Sequence, residues 1–156
     1  MNHTYTTYFA EIYDEVMESV PYNYWFRYLK DILKFYNHHP KSVLELASGT
    51  SNMTLKLIDL PFLNGITALD LSSAMISKAV EKLEYKLQNS EVLKDISTEE
   101  NRRKYFLQNK ERKIFINFMA QNMIDFSFNR KFDLIVSFFD SLNYLTDVKQ
   151  LQSCFN

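Results

Sequence analysis

Apolar positions recur along this chain with two different periods, and the change from one to the other falls near residue 42. Residues 3–18 and 21–37 read as two helices separated by Pro21. In the second, Trp25, Leu29, Ile32, Leu33 and Tyr36 return at helical spacing. Asn37-His38-His39-Pro40 ends that pattern, because proline disfavours helix in the residue before it. Residues 42–47 are then a short β-branched and apolar run, which predicts a buried strand. A tight polar turn follows at 48–51, and Ser51 or Asn52 can cap a helix running to about residue 60. Pro61 and Asn64-Gly65 break the chain, and 65–70 predicts a second strand. Ser72 or Ser73 can cap the next helix, whose Met75, Ile76, Ala79, Val80 and Leu83 form one apolar stripe. Two more strands are predicted at 113–119 and 132–138. The charged segment between, about 87–112, is predicted to be an extended helix followed by another, solvated on one side. From Thr146, Val148, Leu151 and Phe155 share a helical face, and the chain stops at Asn156 without a clear cap, as if cut.

Strand, helix, strand, helix with short turns is the pattern of a parallel sheet with right-handed crossovers. The expected fold is α/β, a Rossmann-like parallel sheet with helices on both faces, preceded by two N-terminal helices. With 156 residues, 46% of them apolar, the chain suits a single domain with an ample core. A net charge of −1 gives no broad electrostatic reason to bind nucleic acid or an anionic membrane. The lone Cys154 permits no intrachain disulfide and no cysteine-based zinc cluster, and fits a reducing cytoplasm; no metal site is expected. The first residues lack the basic and apolar runs of a signal peptide, and residues 132–139 are too few to span a bilayer. His38 and His39 are expected to be solvated loop residues rather than ligands. Only two glycines occur, Gly49 and Gly65, so each is expected where a side chain would not fit.

Gly49 follows the first strand, where a cofactor containing a nucleoside needs a tight turn and close backbone approach. Asp70 ends the second strand about 20 residues later, the spacing expected for an acid that accepts hydrogen bonds from two ribose hydroxyls. Ligands of such sheets sit beyond the carboxyl ends of the strands, so residues 121–123 and 138–141 also face the site. Each feature alone has an ordinary reading, as turn, helix-dipole partner or loop residue. Their order and spacing together favour a nucleotide site.

These residues resemble the class I S-adenosylmethionine-dependent methyltransferases, of the small-molecule type with an N-terminal helical lid. The resemblance runs through residues 8–14, 43–52, Leu69-Asp70-Leu71-Ser72 with Met75, residues 117–126, and Phe132-Asp133-Leu134-Ile135-Val136 with residues 139–145. It implies a single but incomplete methyltransferase domain over 1–156, with a lid at 1–40, a cofactor-binding core at 41–156 and a helical insertion at about 87–112. The family's seven strands run 3-2-1-4-5-7-6, and this chain supplies 3-2-1-4, apparently truncated after the fourth. By position, the resemblance assigns Glu45 to the methionine amino group, and Ala47, Ser48 and Gly49 to the turn beneath the methionine portion. Asp70 is assigned to the ribose, and Leu71, Met75, Asn122 and Met123 to adenine. Phe138 falls beside the methionine portion and Tyr13 in the lid. Asp140, Asn143 and Tyr144 are candidates for acceptor contact, and no catalytic residue is assigned.

Three departures stand out. Ala47 and Ser51 replace the family's usual glycines, and Ser51 is expected to crowd the helix–strand approach. Asn122 stands where the family often has Asp. Each is expected to weaken binding by about 1 kcal/mol. The expected activity is methyl transfer from S-adenosylmethionine to an unidentified, small-molecule acceptor, with a non-catalytic S-adenosylmethionine-binding module or inactive fragment as the alternative. A nicotinamide-dependent oxidoreductase is disfavoured, because the turn lacks G-x-G-x-x-G. An open, apolar edge on the fourth strand predicts self-association through it, as in a homodimer, or an element that replaces the missing strand.

Overall fold

The computed structural model describes residues 7–87, 93–99, 101–108 and 112–155. Two helices, α1 (Thr7–Val16) and α2 (Tyr22–Phe35), precede strand β1 (Ser42–Leu46). There follow α3 (Thr54–Leu57), β2 (Gly65–Asp70), α4 (Ser73–Leu87), β3 (Leu93–Glu99), β4 (Arg102–Gln108), β5 (Lys113–Ala120), β6 (Leu134–Ser137) and α5 (Val148–Phe155), with a 3-10 turn at Ser141–Tyr144. The six strands form one sheet in the order β3-β4-β5-β2-β1-β6. Its parallel part, β5-β2-β1-β6, is the expected 3-2-1-4 arrangement, in register as Leu44↔Thr67, Thr67↔Asn117 and Leu44↔Ile135.

The segment expected to be a helical insertion is instead an antiparallel hairpin in its described part. β4 pairs with β5, and β3 pairs with β4, with an irregularity between Asp95 and Ser97. Lysine, arginine and glutamate favour helix in isolation, but the open edge of β5 offers unpaired backbone groups that a strand satisfies. Tyr105 and Leu107 then point into the core at strand period, and the Tyr105 hydroxyl donates to Glu84 of α4 at 2.9 Å.

Alternation along the strands builds two cores. Val43, Ile66, Ala68, Ile116 and Phe118 face α2, α3 and α4, where Leu33, Leu57, Ile58, Ile76, Ala79 and Leu83 are buried against them. Leu44, Leu46 and Leu69 face the other way, toward Cys154 of α5 and the aromatic loop at 126–132. Each of the larger side chains here, the valine, leucines, isoleucines and phenylalanine, contributes about 1.5–3 kcal/mol when fully buried. The α4 stripe is buried as its spacing predicts, and the Ser72 hydroxyl accepts the Met75 N–H at 3.3 Å as its cap. On α2 the buried face is rotated from the expected stripe. Phe26, Leu29 and Leu33 pack inward, while Trp25, Ile32 and Tyr36 are exposed. α3 is a single turn and does not reach residue 60 as helix; it continues as i→i+3 turns through Asp59 and Leu60.

At the amino end of β1, the Asp133 carboxylate accepts the N–H groups of Lys41 and Ser42, each at 2.9 Å, together with the Ser42 hydroxyl. Those donors hold its pKa below the usual carboxylate range. His38 is an exposed loop residue, as expected, and hydrogen-bonds the Asp133 carbonyl through Nε2 at 2.9 Å. Gly65 departs from expectation. A Cβ there would meet Phe115 only at ordinary contact distances, 3.5 Å and beyond, so space does not require glycine.

Candidate functional site

The turn after β1 is built from left-handed residues. Ala47, Gly49 and Ser51 have φ of 52°, 55° and 63°. For glycine that conformation is free, whereas for the other two it costs about 1–2 kcal/mol each. Ser51 is fully buried and holds this left-handed conformation. The alternation of left-handed residues brings the Ser48 N–H to the Leu69 carbonyl and the Ser51 N–H to the Ser48 carbonyl, at 2.9 and 2.8 Å. It also aims the Gly49 N–H at Asp70.

Asp70 ties the two strand ends together. One carboxylate oxygen accepts the Gly49 N–H at 2.8 Å, and the other accepts the Ser72 N–H at 2.9 Å. Burial pushes its pKa up, and these two bonds oppose the rise. Each oxygen retains a second lone pair for a hydroxyl donor.

Behind the turn lies Glu45, buried on β1 and hydrogen-bonded by the Thr54 hydroxyl at 2.5 Å. Desolvation, opposed by Thr54 and reinforced by the Asp70 charge, pushes its pKa up to about 8. Glu45 opens onto a cavity of about 230 Å³ beyond the carboxyl ends of β1 and β6. Tyr13, Ala47, Ser48, Phe138, Asp140 and Tyr144 share its wall. The Ser48 hydroxyl is buried there without a hydrogen-bond partner among the described residues.

Helix α1 closes the cavity. The Tyr13 ring lies over the Gly49 turn, with its hydroxyl 3.7 Å from where a Cβ on Gly49 would stand. Burial, then the neighbouring Tyr22 and Asp70, raise the Tyr13 pKa to about 12. Asp14, beside it, accepts the Thr50 hydroxyl at 2.7 Å and the Asn52 amide at 2.8 Å, and pairs with Lys82 of α4 at 2.7 Å. Burial alone would raise the Asp14 pKa, but the Lys82, Thr50 and Asn52 bonds outweigh it and lower it. Phe139, at φ 59°, packs edge-on against Tyr22 and Trp25 of α2, with ring centroids 5.4 and 6.1 Å away.

Of the residues expected at the site, Tyr13, Glu45, Ala47, Ser48, Phe138, Asp140 and Tyr144 line the cavity, with Gly49 and Asp70 adjoining it. The other five lie outside that wall. Leu71 is exposed, Met75 is buried in the fold, and Met123 packs on the second core. The Asn122 side-chain carbonyl accepts the Ile124 N–H within its own loop, and Asn143 donates its N–H to the Asp140 carbonyl. The latch of Asp14, Thr50, Asn52 and Lys82 was not among the expected site residues, nor were Tyr22 and Phe139. Asp14 adjoins the lid tyrosine in sequence, but nothing local marks Lys82 as its partner.

No family model matches the chain. It is 28% identical over 149 residues to a putative methyltransferase of Geobacillus sp. (strain WCH70), covering 95% of this chain and 49% of that protein. It is 30% identical over 138 residues to the putative methyltransferase YqeM of Bacillus subtilis (strain 168), covering 88% and 42% respectively. The chain thus spans about half the length of the curated relatives it matches. An S-adenosylmethionine-dependent methyltransferase from Clostridium acetobutylicum ATCC 824, known by crystal structure, superposes with a TM-score of 0.66 at 29% identity, over 95% of this chain and 49% of that one. In sequence the chain is similar to two proteins named as putative methyltransferases, and in fold and sequence to a solved S-adenosylmethionine-dependent methyltransferase.

Proposed function

We propose that this chain binds S-adenosylmethionine and forms the cofactor side of a cytoplasmic methyltransferase acting on a small molecule. The observation that carries this reading is the pairing of two polar groups at one cavity. A buried acid, Glu45, and a buried hydroxyl without a partner among the described residues, Ser48 Oγ, line it beside a glycine turn tethered to Asp70. An amino-acid arm with an ammonium and a carboxylate fits such a pair, and ribose hydroxyls fit the remaining lone pairs of Asp70.

When bound, the cofactor supplies a methyl group already activated on a sulfonium. The chain's own residues then bind, orient and exclude water. Glu45 is protonated at neutral pH in the free chain, and a cationic amine placed against it favours loss of that proton. Tyr13 and Phe9 of α1 cover the cavity from above, and the Asp14–Lys82 pair holds that helix down. Asp140 and Tyr144 border the cavity and are the groups proposed to meet the acceptor. Self-association through the edge of β6 is proposed as the chain's protein contact.

Titration calorimetry with S-adenosylmethionine and with NAD tests the reading. Binding of the first alone is expected, and binding of NAD alone, or of neither at millimolar concentration, would overturn it. Asp70→Ala should weaken binding more than Asp133→Ala, because Asp133 sits at the opposite end of β1.

A further inference from the structure

A second concavity, an open groove of about 690 Å³, lies between the amino end of α2 and the flank formed by α3 and α4. It adjoins the cavity above, sharing Tyr22 and Asn52 with it. Three cations converge on it, Arg27, Lys56 and Lys86, and among the described residues no carboxylate lines it. The cations are positioned mainly by neutral groups. Lys56 Nζ donates to the Asn23 side-chain carbonyl at 2.6 Å, and Lys86 Nζ donates to the Leu55 carbonyl at 2.5 Å. The Arg27 guanidinium sits over the Tyr24 ring, 5.5 Å from its centroid, a contact that leaves in-plane donors for an anion. One acid, Asp59, stands 3.6 Å from Lys86, is more than half exposed, and is shared with Arg112. Asp59 is not part of the groove wall.

We propose that this groove binds the phosphate groups of a small phosphorylated molecule. Resting on the methyltransferase reading, that molecule is the methyl acceptor, held by its phosphate end while its other end reaches the cavity past Tyr22 and Asn52. Both the charge and the size select this class. Arginine and lysine together suit phosphate oxygens, bidentate at one and point-charge at the other. The volume falls in the range of small-molecule sites, and all three cations line the one groove.

Inorganic pyrophosphate is the probe, titrated into the isotopically labelled chain and followed by amide NMR. Expected is saturable binding that persists at about 0.15 M NaCl, with shifts centred on Arg27, Lys56 and Lys86. Arg27→Glu and Lys56→Glu should each weaken it about tenfold or more while leaving S-adenosylmethionine affinity unchanged. No saturable binding, shifts centred elsewhere, or binding unaltered by either charge reversal in a folded variant would overturn the proposal. Pyrophosphate binding without S-adenosylmethionine binding would sink the cofactor reading and leave the groove standing. The converse would sink the groove alone.

Discussion

Two residues in the turn after β1 hold a backbone conformation that their side chains oppose. Ala47→Gly and Ser51→Gly should therefore stabilise the chain, by about 1 kcal/mol at Ser51 and less at Ala47, read as shifts of the urea midpoint. Ser51 gains more because its buried hydroxyl has no hydrogen-bond partner among the described residues. Destabilisation by either glycine would show that the turn is relaxed as it stands. Glu45 gives a pH signature of opposite origin. Its carboxyl stays protonated in the fold up to about pH 8, whereas the unfolded chain releases that proton near 4.5. Between those values the unfolded state binds fewer protons, so this group makes stability fall as pH rises. Glu45→Gln, which keeps an acceptor for Thr54, should remove that slope. The variant should match the wild type near pH 4.5 and exceed it at pH 8, and a constant difference across the window would count against the raised pKa. At this scale much of the site was readable in the sequence, because Glu45 to Gly49 and Asp70 sit at strand ends that the apolar runs locate. The conformations of Ala47 and Ser51 were not readable, since only the folded turn shows that these two positions are left-handed without being glycine.

Among the elements, the lid is held by polar contacts rather than by a large apolar face: Ala10 is the single buried residue of α1. The Asp14–Lys82 pair, partly shielded and braced by Thr50 and Asn52, links α1 to α4 across 68 residues. A double-mutant cycle with Asp14→Ala and Lys82→Ala should give a coupling of about 1 kcal/mol, with faster amide exchange confined to α1. Additive effects would mean that the lid is held elsewhere. No periodicity announces such a pair, which is why the sequence pointed to Tyr13 and not to its neighbour's partner. The hairpin of β3 and β4 was hidden for a different reason. Its alternation of Tyr105 and Leu107 is short and flanked by residues that favour helix, and the deciding influence is the free edge of β5, a neighbour that local sequence cannot reveal.

For the whole molecule, one edge of the sheet is apolar. β6 reads Leu134-Ile135-Val136-Ser137 and, among the described residues, pairs only with β1, with Ile135 largely exposed. Apolar edges invite pairing with another chain. Light scattering should show a mass above that of one chain at high concentration, and Ile135→Lys should return it to one chain. A single-chain mass for the wild type at every concentration would exclude association through β6. The central order of strands was legible because a parallel sheet with buried faces leaves continuous apolar runs, which turns and breaks separate cleanly.

The position of β1 in the sheet also dictates when the sheet can be completed. β3, β4 and β5 are joined by hairpins and find their partners within a few residues, so loop closure among them costs little. β1 lies between β2 and β6, and its contact with the start of β6 spans 91 residues. Although β1 is made early in synthesis, one of its two flanks waits for a strand that begins about 91 residues further on. The strand that carries Glu45 and leads into the glycine turn thus has one nearby partner, β2, and one distant one, β6, and its enclosure on that second side requires the longer loop to close.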